Sequence, residues 1–182
     1  MQRIVRPALL ATLLAGILAA GGCTVRPLLV ADATVVTATT PVSADRLSGV
    51  LVEDVDTRYA QQVRNHLVFL LYGGRGTPLD TRYSLDLAVT RNTATAARVQ
   101  VGGADQPTAS TLTLTSRYRL RDAATGALLV RGERAVTAAY DVPRQNYAAL
   151  RAERDAEDRA ARELAEVLRL AVAQDLARID VQ

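Results

Sequence analysis

Lysine is missing from these 182 residues: every one of the 22 basic side chains is arginine. Tryptophan is missing too, and phenylalanine, cysteine, histidine and methionine occur once each. These absences exclude several kinds of chemistry. One histidine, His66, and one cysteine, Cys23, cannot build the His/Cys clusters that hold zinc. Thr77 lies among glycines, but a phosphate-cradling loop needs a lysine that the chain does not have. There is no Gly-x-Ser-x-Gly elbow to present a nucleophile. His66 falls inside a helical pattern beside core positions, which suits a packing or surface residue. Glu53, Asp54 and Asp56 cluster at a strand–helix junction, where capping accounts for them better than acid–base work. No catalytic set, metal or cofactor is expected; the chain should bind and not catalyse. A lone cysteine allows no internal disulfide, so the core has to stand on Leu, Val, Ala and Tyr packing.

Charge gives no strong partner signal. The formal net charge is +3, and the arginines are interspersed with acids, which argues against nucleic acid. Arginine offers a planar fork of donors matched to phosphate and carboxylate.

The first 22 residues read as a targeting segment. Arg3 and Arg6 give a positive start, Leu9 to Ala20 a short Leu/Ala run, and Ala20-Gly21-Gly22 a small-residue end, the order of a signal peptide. The apolar run is too short to span a bilayer comfortably. Cys23 follows at once, so cleavage before it and acylation of its thiol would leave a lipid-anchored N-terminus. The motif is similar to a bacterial lipobox, with Ala20 where a larger aliphatic residue is usual. An ordinary signal peptide followed by a chance cysteine is the alternative. Removing residues 1–22 leaves 160 residues, enough for one domain with a real core. Residues 23–46, rich in Thr, Ala and Pro, read as anchor and tether, and residues 47–182 as a single domain.

Within that domain, residues 47–53 form a short β-type run. Asp54 or Asp56 can cap a helix over Thr57–Tyr72, whose Tyr59, Val63, Leu67, Leu70 and Leu71 recur at helical spacing. Gly73-Gly74 ends it. Tyr83, Leu85, Leu87 and Val89 alternate with polar residues as in a half-buried strand. Residues 92–109 are ambiguous, with Val99 and Val101 able to continue a strand up to Gly102-Gly103. Leu112, Leu114, Tyr118 and Leu120 then face one way, and Thr111, Thr113, Thr115, Arg117, Arg119 and Arg121 the other. A turn at Asp122–Gly126 leads into a third alternation over Leu128–Tyr140, a hairpin. From Pro143 to Ile179 runs one long helix, or two collinear ones, with an apolar stripe of Ala161, Leu164, Leu168, Val172, Leu176 and Ile179. Its upstream half offers i,i+4 ion pairs, among them Arg151/Asp155, Arg154/Asp158 and Asp155/Arg159. The expected fold is α+β: a two-layer sandwich, order β-α-β-β-β-α, about four strands in an antiparallel or mixed sheet with two helices on one face.

Several segments, in order, resemble the lipopolysaccharide-assembly lipoproteins of Gram-negative bacteria, in their α-proteobacterial form. They are Gly22-Cys23-Thr24-Val25-Arg26-Pro27-Leu28, Gln61-Gln62-Val63-Arg64-Asn65-His66-Leu67, the Tyr83 and Tyr118 strands, Thr125-Gly126, Tyr140-Asp141, Gln145-Asn146-Tyr147-Ala148 and Arg154-Asp155-Ala156-Glu157. The resemblance implies an outer-membrane lipoprotein, its domain facing the periplasm or lying in a barrel lumen. It would plug and help assemble the β-barrel that inserts lipopolysaccharide into the outer leaflet, and would contact lipopolysaccharide itself. It places Arg154 among the candidate contacts; Arg117 and Arg119, on the polar sheet face, are further candidates for phosphate. The alternative is a lipoprotein accessory of a lipid-transport ATPase system.

Cys23→Ser should abolish incorporation of radiolabelled fatty acid and leave an unprocessed or soluble product. Equal labelling of variant and wild type would refute acylation at this residue.

Overall fold

The computed structural model describes residues 29–30, 42–76, 80–101 and 104–179. Residues 1–22, read from the sequence as a signal peptide, and Cys23 and Thr24 lie outside the described residues. In chain order the elements are β1 (Leu29–Val30), β2 (Val42–Ser43), α1 (Ala44–Ser48), β3 (Val50–Val52), α2 (Arg58–Tyr72), β4 (Tyr83–Val101), β5 (Ala104–Asp122), β6 (Leu128–Asp141) and α3 (Asn146–Ile179). Strands β1 and β2 pair parallel in a sheet of their own; the main sheet has the order β3-β4-β5-β6. In it β3 runs parallel to β4 and the other neighbours are antiparallel. The architecture is the expected α+β sandwich with a mixed sheet of four strands, plus the short third helix α1.

Alternation along the strands decides what is covered. On β5, Leu112, Leu114, Ser116, Tyr118 and Leu120 are all buried, while Arg117 and Arg119 between them are exposed. Leu85 and Val89 of β4 and Val136 and Ala138 of β6 lie in the same core. Helices α2 and α3 pack together over this face. The α3 stripe is buried from Ala161 through Leu176, with Ile179 half-buried at its end. Ala156, Ala160, Ala165, Ala171 and Ala173 widen the stripe; side chains this small bring the helix axis close to its neighbours. The helix is a single one of 34 residues, roughly 50 Å long at 1.5 Å per residue.

Four boundaries differ from the sequence expectation, each for a local reason. The run 47–53 is extended only over β3, because Leu47 and Ser48 close α1. Helix α2 is capped by Thr57, whose side chain accepts from the Ala60 N–H, and not by Asp54 or Asp56. Asp54 pairs with Arg64 at 3.0 Å. Helix α3 begins at Asn146, beyond Pro143, with the Gln145 carbonyl accepting its first bond from the Ala149 N–H at 2.9 Å. Residues 92–101 and 104–109 are strand: β4 and β5 stay paired, with β6 alongside as far as Ala109, and continue beyond it as a two-stranded ribbon. Residues 92–100 are exposed on both faces, so burial imposes no apolar alternation there. Register shifts at Thr95/Ala97 and Ala97/Arg98 bend this ribbon.

Two predicted turns hold as expected. Gly73 closes α2 at φ 60°, its N–H bonding the Phe69 carbonyl, a left-handed conformation that glycine adopts freely. Asp122 accepts from the Thr125 N–H and hydroxyl and from the Ala124 N–H. These bonds, Thr125 foremost, hold its carboxyl below the ordinary aspartate range. Helix α2 is tied to β3 at two points: Tyr72 donates to the Val50 carbonyl at 2.7 Å, and Arg64 donates to the carbonyls of Glu53 and Val52 at 2.9 and 3.2 Å.

Leu85→Ala and Leu114→Ala should each cost about 2–5 kcal/mol in denaturant melts, since both side chains are fully covered. Arg119→Ala, on the open face, should stay within about 0.5 kcal/mol of wild type. Equal losses at the two kinds of site would contradict the assigned faces.

Candidate functional site

The sheet's uncovered face carries the first cluster. Register brings Asp86, Arg119 and Arg131 into one row across β4, β5 and β6, and Ala88, Arg117 and Glu133 into the next. Arg117 Nε donates to Glu133 Oε2 at 2.7 Å. Asp86 Oδ2 lies 3.1 Å from Arg121 Nε and 3.6 Å from Arg119 Nε. Arg131, directly opposite Arg119, has no carboxylate within ion-pair distance among the described residues. A concavity of about 630 Å³ opens here, with Glu53 and Asp54 on its border. Ser84 holds Glu53 in place, donating to Oε1 at 2.7 Å.

Tyr118 and Gly132 contribute to the wall of this concavity. They are direct cross-strand partners. The Tyr118 ring leans over the glycine so closely that a Cβ at 132 would stand 2.5 Å from Cζ; glycine in a strand commonly marks such an approach. From this position the phenol donates to Asp175 Oδ2 of α3 at 2.6 Å, and Arg178 lies 3.4 Å from the other carboxylate oxygen. Burial, reinforced by that bond to Asp175, pushes the Tyr118 hydroxyl up to about 12.

The second cluster lies where the upstream part of α3 meets the start of α2 and β4. Glu157, almost fully buried, is gripped by Arg58 of α2 and by Arg91 of β4, the latter at 3.0 Å. Arg58 also reaches Asp158 at 3.0 Å, and Arg91 reaches Glu153 at 3.4 Å. Arg154 borders the same hollow of about 400 Å³, with Tyr59 and Leu150 as its apolar wall. It is exposed and has no carboxylate partner among the described residues. Its expected i,i+4 partner, Asp158, is taken by Arg58 across the helix pair. Of the i,i+4 pairs expected on this helix, only Asp155/Arg159 forms, at 3.0 Å.

The structure therefore separates the three arginines singled out from sequence. Arg117 and Arg119 share the open sheet face and are close to carboxylates, whereas Arg154 stands apart at the helix junction. Sequence reading missed Arg58, Arg91, Arg131 and Glu157. A signal existed for two of them. Arg91 continues the Leu85-Leu87-Val89 alternation on the covered face, and Glu157 falls four residues before Ala161 on the apolar stripe; a charge on a core-facing position implies a partner. His66 is half-buried on α2.

Tyr118→Phe should lower stability by about 1.5–3 kcal/mol, the usual worth of a hydrogen bond to a charged group, and Gly132→Ala by about 1–3 kcal/mol through overpacking against the ring. Because the folded phenol stays protonated above the value an exposed tyrosine shows, the unfolded chain binds fewer protons between roughly pH 10 and pH 12. Stability should fall with rising pH across that window. Tyr118→Phe should flatten this part of the stability–pH curve; an unchanged slope would rule out Tyr118 as its source.

The sequence profile of the lipopolysaccharide-assembly family, LptE, matches residues 30–171. Among solved structures, a lipoprotein of Caulobacter crescentus CB15 is 30% identical, with 74% of this chain and 95% of that one covered at a TM-score of 0.60. Rare lipoprotein B of Shewanella oneidensis is 13% identical, with 72% and 96% covered at a TM-score of 0.53, a likeness of fold. No curated protein sequence matches the chain. With a profile match spanning most of its length and a lipoprotein relative covered almost end to end, the chain belongs to the LptE lipopolysaccharide-assembly family.

Proposed function

We propose that this protein is an outer-membrane lipoprotein, anchored through acylated Cys23, that plugs and helps assemble the β-barrel inserting lipopolysaccharide into the outer leaflet. It also contacts lipopolysaccharide directly, through binding alone. The family match over residues 30–171 carries this reading and favours it over an accessory of a lipid-transport ATPase. No helix among the described residues is long and apolar enough to cross a membrane, which is compatible with attachment by a lipid. Thr24 after the acylated cysteine, where aspartate favours inner-membrane retention in enterobacteria, is compatible with outer-membrane delivery.

Of the candidate phosphate contacts, Arg154 is the best placed. It is exposed and has no ion-pair partner among the described residues, and Arg58 and Arg91 stand beside it in the same hollow. A lipid A phosphate reaching Arg154 would meet a guanidinium that gives up no existing ion pair. Arg117 would have to leave Glu133, and Arg119 would have to leave the neighbourhood of Asp86. Tyr59 and Leu150 give the hollow an apolar wall suited to an amphiphile.

Arg154→Ala should leave the protein folded and weaken lipopolysaccharide binding about tenfold, since a charge-assisted bond is worth about 1.5–3 kcal/mol. The difference should shrink with added salt and with dephosphorylated lipopolysaccharide. Titrating the mature protein with both forms measures this. Equal affinity of wild type and variant for both would move the contact to Arg117 or Arg119.

A further inference from the structure

A sheet whose outer strands keep free N–H and C=O groups is open to the addition of another strand. Among the described residues the main sheet ends in β3 on one side and β6 on the other. Backbone bonding shows which groups face outward on β3. Gly49 accepts from the Tyr83 N–H, and the Glu53 N–H donates to Leu85, so Val50 and Val52 turn away from β4. Side chains of α2 occupy both outward carbonyls: the Tyr72 hydroxyl donates to Val50 at 2.7 Å and Arg64 Nη2 to Val52 at 3.2 Å. That edge is closed.

The β6 edge is longer and is closed at two points. The Val142 N–H donates to the Thr108 carbonyl at 2.8 Å. The alternation of a strand then turns Glu133, Ala135, Thr137, Ala139 and Asp141 outward. Arg134 Nη1 donates to the Glu133 carbonyl at 2.7 Å, and Arg159 Nη2 reaches from α3 to the Ala139 carbonyl at 3.1 Å. Asp155 braces Arg159 at 3.0 Å. Arg134 is half-buried on the covered face, where its charge bears on the Tyr118 hydroxyl. A charge pointing inward from an edge strand is a common protection against strand addition.

But for these two side chains, β6 is suited to pair with itself. An antiparallel pairing centred on Val136 sets Arg131 opposite Asp141 and Glu133 opposite Ala139. Arg131 and Asp141 are exposed on the open face, and neither has an ion-pair partner among the described residues. The two-fold axis of such a pairing would join them twice, opposite charges across the strands. The same pairing needs the Glu133 and Ala139 carbonyls, the two that the arginines occupy.

We propose that Arg134 and Arg159 keep the protein monomeric by closing the β6 edge, and that the strand they exclude is β6 of a second copy, antiparallel and centred on Val136.

The test uses the full-length protein, processed in the cell and purified by itself in detergent, with Val136→Cys as the reporter. Opposed residues at 136 would form a non-hydrogen-bonded pair with Cα atoms about 4.5 Å apart, within reach of a disulfide. The native chain, with Cys23 alone, sets the background. On oxidation Val136→Cys should stay at that background. Val136→Cys/Arg134→Thr/Arg159→Ala should give about tenfold more covalent dimer, the factor that removing a competing charge-assisted bond allows. Adding Asp141→Arg to that chain sets arginine against Arg131 and should return the yield to background; adding Arg131→Asp as well should restore it. Arg159→Ala with the reporter alone, at an exposed helix position, should raise the yield part of the way. If the arginines only staple strand and helix, removing them lowers the melting temperature without raising the dimer yield, and that result would overturn the proposal. So would full dimer from Val136→Cys with both arginines in place, or a yield unmoved by Asp141→Arg. Should the chain lacking both arginines fail to fold, Arg159→Ala decides alone, and an unchanged yield there overturns the proposal.

Discussion

One long helix closes this fold. Without α3 the apolar face of β5 and β6 would stand open to water, because α2 is less than half as long. The helix accomplishes the closure with alanine and leucine in place of aromatic bulk. Alanines let the helix backbone approach its neighbours, and Leu164, Leu168 and Leu176 fill the space between. Where a charge on the helix is buried, it is tied into the rest of the molecule: Glu157 to Arg58 and Arg91 at one end, Asp175 to Tyr118 at the other. A buried carboxylate is tolerable only when it is paired and hydrogen-bonded. Each therefore fixes the position of the helix along the sheet, since sliding by a turn would leave a naked charge in the core.

That constraint explains what could be read in advance. The strand alternations at 83–89, 111–121 and 128–140 reported their own covered faces correctly, because one face is sealed and a one-residue slip would invert every side chain. The stripe from Ala161 to Leu176 was equally legible. The charges were harder, because helical spacing proposes partners along one helix while the folded chain offers partners from others. Arg154 and Asp158 are four apart and do not pair, because Arg58, a hundred residues from Asp158 in sequence, reaches it first. Gly132 looks like a weakness within a strand until the Tyr118 ring is seen resting on it.

An all-arginine basic set shapes this electrostatic layout. A guanidinium can serve two acceptors at once, and several here do: Arg58 bridges Glu157 and Asp158, Arg121 bridges Asp86 and the Gly126 carbonyl, and Arg159 bridges Asp155 and the Ala139 carbonyl. The last of these reaches from helix to the outer strand of the sheet. Against that background, Arg131 and Arg154 are two of several arginines with no carboxylate partner among the described residues. They lie in different places, one on the open sheet face and one at the helix junction.

The ribbon formed by the outer ends of β4 and β5, Arg98–Val101 with Ala104–Pro107, obeys different physics from the rest of the molecule. Beyond Ala97 it has no third strand on either side, because β3 ends at Val52 and β6 ends opposite Ala109, the partner of Ala97. Four residues of strand, Arg98 to Val101, at about 3.3 Å each carry it roughly 13 Å beyond the third strand. A two-stranded ribbon is barely stable by itself in water, and here neither helix covers it. Opening it would break few of the contacts that hold the domain together, so it forms a local unit whose amides can exchange far more readily than those under α3. Substitutions in it are correspondingly decoupled from the folding of the domain. In a protein whose core is closely constrained, this is the segment free to change length and composition from one relative to the next without endangering the fold.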